Sequence, residues 1–300
     1  MRILAAIVTH NRRALLERCL DNIAAQTRLP DAVLVIDNGS SDGTAEMLDA
    51  RAVARITQGN LGSAGGWNRA ITAAVEGCYD AVWLMDDDGY PDSEALEILA
   101  AAVAPNVACI SSVVIREDDR TRFVFPFPRL DSRNLPVLLG RRRKFGTIAE
   151  LEEQAKDELY PFAHLFNGAL VMRTAIETIG NVNTGFFMFG DEVDYFFRLR
   201  SAGHVKSHLR ARHYHPDVAG RSLTDAKFYY YIKNTLILNR RYMTRVGLRN
   251  FLTVGAALQR IASRNGVGRA ASLVAGTRRS ILRHAIARGL RGQIGHDFNG

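Results

Sequence analysis

This 300-residue chain predicts an α/β fold, a mostly parallel sheet covered by helices, with a helical C-terminal region after it. Three observations carry that expectation. Short apolar runs recur through the first hundred residues with helical segments between them. Each run is apolar at successive positions, as a strand buried on both faces must be. Beyond Ser222 the apolar spacing turns helical and stays so to near the end.

The elements follow in order. Ile3–Thr9 reads as a buried strand. Arg13–Ala25 sets Leu15, Leu16, Cys19, Leu20, Ile23 and Ala24 on one helical face. Pro30 and Asp31 break the chain before a second strand, Ala32–Ile36, which Asp37-Asn38-Gly39 ends. Asp42-Gly43-Thr44 opens a short helix, and Ala54–Thr57 is a third strand. Gly62–Gly66 is a loop leading into a helix from Trp67 to Val75. Ala81–Met85 is a fourth strand, running into Asp86-Asp87-Asp88. A helix at Ser93–Val103 and a strand at Val107–Val114 complete this half. Residues 116–160 hold an aromatic-proline stretch (Phe123–Pro128), a basic run (Arg141–Lys144) and an acidic helix (Ala149–Leu159) among loops and short edge strands. Ala163–Met172 is a strand containing Asn167-Gly168, Asp191–Ala202 a helix and Val205–His213 a strand. Helices are then expected at Ala226–Tyr242, 246–262 and 269–289. The organisation is residues 1–220 as one domain, with halves 1–115 and 116–220, and 221–300 as a basic helical region.

The bulk properties exclude several classes. Cys19, Cys78 and Cys109 are odd in number, far apart and without metal-ligand spacing, which suits buried thiols in a reducing compartment. Met1–Val8 is too short for a signal peptide's apolar core, and no stretch reaches the roughly 20 apolar residues of a membrane span. The expectation is a cytoplasmic protein, soluble or peripherally bound. The net charge is +8, and from Arg240 onward arginines face a single acid, Asp297. That asymmetry points to an anionic partner for the tail.

In open α/β sheets ligands bind beyond the carboxyl ends of the strands. Polar residues sit there: Thr9–Arg12, Asp37–Ser40, Asn60–Gly66 and Asp86–Gly89. Three adjacent carboxylates repel and raise one another's pKa, and a divalent cation removes the conflict. Oxygen donors suit Mg²⁺ or Mn²⁺, shared with substrate phosphates. Asp37 either binds a base or ribose or closes an Asx turn in DNGS. The glycines of NLGSAGGWNRA, Gly65 among them, either let the backbone approach an anionic ligand or pack a tight loop on the sheet. This segment lacks the Gly-Lys-Ser/Thr of a P-loop. Thr9-His10-Asn11-Arg12 after the first strand holds no glycine, which argues against a dehydrogenase. Asp191, Glu192 and Asp194 open a helix, with Asp191 and Asp194 on one face and Glu192 off it. They serve either the helix dipole or general base catalysis. His213 and His215 point the same way along a strand, as structural residues or as ligands completing a carboxylate-bound ion.

Taken together and in order, IVTHNR, VIDNGSSDGT, NLGSAGG, WLMDDDG, FNGALVMR and GDEVDYFFRLR resemble the inverting family 2 glycosyltransferases of GT-A fold. The resemblance covers about residues 1–220. QTRLPDAVLVIDN, NLGSAGGW and VWLMDDDG look most like bacterial galactofuranosyltransferases, with rhamnosyltransferases next. It implies that Thr9 and Asp37 hold the nucleotide, Asp37 at the base, and that Arg12, Asn60 and Gly65 fall in donor-binding segments. Asp86–Asp88 match the DXD-type motif, with Asp88 on the metal and Asp86 and Asp87 toward ribose or sugar. Glu192 matches the catalytic base, where this chain has Asp-Glu instead of the family's Glu-Asp or Asp-Asp, so Asp191 is the alternative. His215 fits the metal-binding histidine, with His213 as fallback. Trp67 would sit at the mouth of the glycine-rich loop, near a sugar.

The implied reaction is a single displacement. Mn²⁺ or Mg²⁺ offsets charge on the nucleoside diphosphate, Glu192 takes the acceptor hydroxyl's proton, and the anomeric centre inverts. Implied partners are a UDP- or dTDP-linked sugar donor and a glycan or lipid-linked acceptor. Nucleic acid is not among them. A nucleotidyltransferase is the alternative of another class, but it would need a Gly-rich signature with a Lys or Arg after the first strand. A non-catalytic binding protein would lack one of the acids. In the tail, Tyr229, Tyr230, Ile232, Leu236 and Ile237 precede Arg240, Arg241, Arg245 and Arg249, and Arg278–Arg291 mixes apolar residues with arginine. Basic amphipathic helices bind anionic membranes, here the inner face of the plasma membrane; the competing reading is helices packed on the catalytic domain or a homo-oligomer interface.

Overall fold

Strand β1 (Ile3–Thr9) buries every residue, and its alternation serves two cores at once. Leu4, Ala6 and Val8 face one apolar cluster, and Ile3, Ala5 and Ile7 face the other. The structure, a computed structural model, describes residues 1–140 and 142–298. Arg141, first of the basic run, lies outside the described residues. Two compact units form. One comprises Met1–Val182 with Tyr195–Asp217, the other Asn183–Asp194 with Val218–Gly300. The division expected at residue 220 thus differs in one respect: Asn183–Asp194 groups with the helical residues.

In the first unit β1 is followed by α1 (Arg13–Ala24), β2 (Ala32–Asp37), α2 (Thr44–Ala50), β3 (Ala54–Thr57), α3 (Gly62–Glu76) and β4 (Ala81–Asp86). Next come β5 (Tyr90–Pro91), α4 (Ala95–Ala101), β6 (Val107–Arg116), β7 (Arg122–Pro128), β8 (Lys144–Thr147) and α5 (Ile148–Glu152). The unit continues with β9 (Leu159–Tyr160), β10 (Asn167–Met172) and α6 (Arg173–Ile179). Helix α7 (Asp191–Ala202) begins in the other unit, and β11 (His204–His215) closes this one. The sheet order is β3-β2-β1-β4-β10-β6-β11-β5, with β7 and β9 paired off this path. Strands β1 to β4 are parallel, and so are β6 and β11. β10 runs antiparallel to β4 and β6. Helix α1 contributes Leu16, Cys19, Leu20 and Ile23 to one core face, and α3 contributes Ala64, Trp67, Ala70 and Ile71 to the other.

Three expectations change here. The glycine-rich segment is not a loop. Helix α3 starts at Gly62, whose N–H is accepted by the Asn60 carboxamide oxygen at 3.0 Å. Its glycines serve close packing: a Cβ on Gly66 would lie 2.5 Å from Val8 Cγ1. Trp67 is 1% exposed, stacked on Phe166 with ring centroids 4.3 Å apart, so it belongs to the core and not to the mouth of a sugar site. The acidic helix is only α5, which ends at Glu152; Asp157 and Glu158 take positive φ in a turn that joins Lys156 to Leu159.

The second unit contains α8 (Asp225–Tyr242), α9 (Val246–Asn265), α10 (Val267–Val274) and α11 (Arg279–Arg291). Phe228, Tyr229, Tyr230, Ile232 and Leu236 of α8 pack against Ala257, Ile261, Leu273, Leu282 and Ala285. The α8 residues that looked available to a membrane are therefore this unit's core. Lys233 is buried there, donating to the Gly295 carbonyl at 2.8 Å and to Asp297 Oδ1 at 2.6 Å. Among the described residues no helix is long and apolar enough to cross a membrane.

Two substitutions test this packing. Gly66→Ala should lower stability by about 1–3 kcal/mol in urea unfolding, because Val8 must move. His164 lies within reach of Phe125, Phe127 and Phe162, and burial holds its pKa down at about 3. The unfolded chain takes up that proton below about pH 6.5 and the folded one does not, so stability falls as pH drops from about 6.5 toward 3. His164→Gln should make this slope shallower by up to ~1.4 kcal/mol per pH unit. An unchanged slope would refute the assignment.

Candidate active site

The parallel strands deliver their last residues to one edge. Thr9 ends β1 beside Asp37 of β2, and Val8 pairs with Asp86 of β4. Asp87, Asp88 and Gly89 then turn the chain into β5, which pairs antiparallel with β11 at His213 and Tyr214. The pairing brings His215 to the aspartate turn.

Asp87 and Asp88 are buried, and Asp86 is half-buried. Thr9 Oγ1 donates to Asp87 Oδ2 at 2.7 Å. The Arg12 guanidinium bridges Asp87 Oδ1 at 2.9 Å and Asp88 Oδ2 at 3.0 Å. Arg18 donates to the Asp88 carbonyl at 3.2 Å, pairs with Glu117 and lies over the Tyr90 ring. The protein thus answers part of the triplet's repulsion with Arg12, where a divalent ion alone was expected to do so. Burial still pushes the Asp87 carboxyl up from its ordinary value and Asp88 adds to this, while Arg12 and Thr9 pull it down.

His215 Nε2 lies 2.9 Å from Asp88 Oδ1, and its Nδ1 lies 2.6 Å from the Pro216 carbonyl oxygen. A carbonyl only accepts, so Nδ1 carries a hydrogen. Nε2 then presents to Asp88 either a lone pair or a second proton. In the neutral form two acceptors face each other, and a cation between them satisfies both. The residues present fit a divalent ion: a carboxylate oxygen and an imidazole nitrogen whose tautomer is fixed from behind. Among the described residues no group of three His, Cys, Asp or Glu side chains gathers for a metal, so the remaining positions would fall to substrate oxygens and water. His213 does not join as a third ligand. It is fully buried against Gly89 and Gly168, neither ring nitrogen has a hydrogen-bond partner, and burial lowers its pKa to about 3.

On the other side of the triplet, Asp37 is 1% exposed and accepts from the Ser40 N–H at 2.9 Å, a side-chain bond three residues on that closes the DNGS turn. Asn60 is exposed, and Gly65 is buried in the first turn of α3 against Leu61. Asn38, held by Gln58 and by the Gly62 carbonyl, ties β2 to α3, a contact that no sequence pattern announces.

In the second unit, Phe187, Phe189 and Gly190 take positive φ immediately before α7. The Asn234 carboxamide holds that strained loop by donating to the carbonyls of Phe186, Met188 and Phe189 at 3.0, 2.9 and 2.7 Å. Asp194 is bound by Arg241 at 3.1 Å and Tyr242 Oη at 2.7 Å, which marks it as structural. Asp191 is buried and Glu192 half-buried. Asn234 was missed, although a Lys-Asn pair inside the apolar run YYYIKNTLIL was a visible signal. Asn234→Leu should cost the helical unit about 1–3 kcal/mol by leaving buried carbonyls unpaired, measured by urea unfolding; a neutral result would remove the loop's anchor.

Residues 5–164 match Glycosyl transferase family 2. The chain belongs to this family. It is 38% identical over 223 residues to galactofuranosyltransferase GlfT1 of Mycobacterium tuberculosis, covering 71% of this chain and 70% of that protein. The GlfT1 of Mycolicibacterium smegmatis is 34% identical over 220 residues, with the same coverage. The N-acetylglucosaminyl-diphospho-decaprenol L-rhamnosyltransferase of M. tuberculosis is 30% identical over 216 residues, 65% of this chain and 69% of that one. Among solved structures, the mannosyltransferase PcManGT from Pyrobaculum calidifontis, in complex with GDP-Man and Mn²⁺, aligns with a TM-score of 0.56 at 19% identity. It covers 96% of this chain and 87% of its own. TarS 1–349 of S. aureus aligns with a TM-score of 0.57 at 13% identity, covering 98% and 81%. The fold is GT-A, and this family 2 protein is a glycosyltransferase.

Proposed function

We propose that this glycosyltransferase moves galactofuranose from UDP-galactofuranose to a hydroxyl of a glycan or lipid-linked acceptor, with inversion, in cell-surface polysaccharide synthesis at the inner face of the plasma membrane. The relatives' identity supports the donor. The observation that carries the chemistry is the Asp88–His215 pair at the carboxyl ends of the parallel strands. In this reading Thr9, Asp37 and Asn60 receive the nucleotide, and Asp86 and Asp87 face ribose or sugar. Arg12 exchanges part of its hold on the aspartates for donor phosphate. Asp88 and His215 would hold Mn²⁺ or Mg²⁺, which supplies electrostatic stabilisation of the diphosphate leaving group. Glu192 serves as base toward the acceptor hydroxyl, with Asp191 as the alternative. The relative that acts as a rhamnosyltransferase keeps a second donor in view, dTDP-rhamnose.

Donor hydrolysis tests this directly. Slow release of UDP from UDP-galactofuranose should require Mn²⁺ or Mg²⁺, and Asp88→Ala should reduce it by about 10²–10³. Release that Asp88→Ala leaves unchanged would overturn the site. Faster turnover of dTDP-rhamnose would replace the donor and keep the site.

A further inference from the structure

The turn that carries Asp88 has little main-chain pairing to hold it. Strand β5 is two residues long, and Pro91 has no N–H to give its partner β11. Side chains add the rest. Arg18 projects from α1 next to the fully buried Cys19, so its stem starts from a helix fixed on the sheet. Its guanidinium donates to the Asp88 carbonyl at 3.2 Å through one nitrogen and to Glu117 Oε2 at 2.8 Å through another. The same group lies 4.6 Å over the ring of Tyr90, two residues past Asp88. Glu117 follows β6, and its backbone N–H donates to the His215 carbonyl at 3.2 Å. Beside it, Arg116 pairs with Asp217 at 3.3 Å, two residues beyond His215. A closed circuit results. It runs from Asp88 to Arg18, Glu117 and His215, and His215 Nε2 returns to Asp88 Oδ1 at 2.9 Å.

Adjacent donors on an octahedral divalent ion, each about 2.0–2.1 Å from it, stand about 3 Å apart. The Asp88–His215 separation already meets that spacing. Arg18 is suited to keep it, because its planar fork reaches a carbonyl and a carboxylate at once. As an ion pair alone it would matter little, since Arg18 and Glu117 are 35% and 29% exposed and such pairs add little stability. We propose that Arg18 and Glu117 form a brace. They are positioning residues that tie the backbone of Asp88 to that of His215, and so set the affinity of the pair for a divalent cation. The brace rests on the reading of Asp88 and His215 as metal ligands.

The test follows free Mn²⁺ by electron paramagnetic resonance as it is titrated into the full chain, with UDP at a fixed concentration. Arg18→Met keeps the stem and removes both prongs of the fork. Glu117→Ala removes the acceptor and keeps the N–H to His215. Each should weaken Mn²⁺ binding about tenfold, the low end for changes just behind metal ligands. The double variant should be no weaker than either single one, since both break the same circuit. Arg18→Lys keeps the charge without the fork and should also lose affinity. The urea unfolding midpoint in EDTA should stay close to wild type in all of them. Binding that Asp88→Ala abolishes but these variants keep overturns the brace alone. So does a loss of affinity matched by a falling midpoint, which marks a merely structural role. Mn²⁺ binding that survives Asp88→Ala overturns the metal reading and the brace with it.

Discussion

The arrangement at the sheet edge depends on how three consecutive carboxylates are kept together where a buried strand ends. Two of them are withdrawn from water, and burying carboxylates without partners costs several kcal/mol each. Arg12 spans Asp87 and Asp88, Thr9 holds the far oxygen of Asp87, and His215 reaches Asp88 from β11. These partners come from two distant places in the sequence, the end of β1 and the end of β11, and only the completed sheet brings them together. The fold is thus a condition for the charge cluster, and the cluster sets which residues may occupy the ends of β1 and β11.

Much of this was legible beforehand because it rests on local chemistry. Strands buried on both faces announce themselves as unbroken apolar runs, and β1 and β3 fell at their expected bounds. The aspartate triplet and His215 stood out because polar residues there interrupt apolar strands. What stayed hidden was long-range. Nothing in GSAGGW says whether its glycines face a ligand or a neighbouring strand, and Val8 decides that for Gly66. Trp67 reads as a sugar-facing aromatic in the sequence, and its stacking partner is Phe166, 99 positions away. Asp194 was one of three similar acids at a helix start, and only Arg241 and Tyr242 set it apart.

The helical unit shows how a basic, apolar segment divides its residues between core and surface. Its aromatic run on α8 is interior, and its exposed apolar residues come later, on α9 and α10. A hydrophobic tally cannot make that distinction, since both stretches are similarly rich. Asn234 contributes differently, spending a buried carboxamide on the strained backbone that precedes Asp191 and Glu192.

Lys233 gives the unit a sequence of assembly. Its ammonium enters an apolar core, and the carboxylate that accompanies it lies 64 positions downstream. During synthesis α8 leaves the ribosome well before Asp297 does. Until then the lysine must stay hydrated or remain buried at a penalty of several kcal/mol. The arrival of Asp297 works as a latch, so the last segment of the chain governs when one of its earlier helices can finally settle.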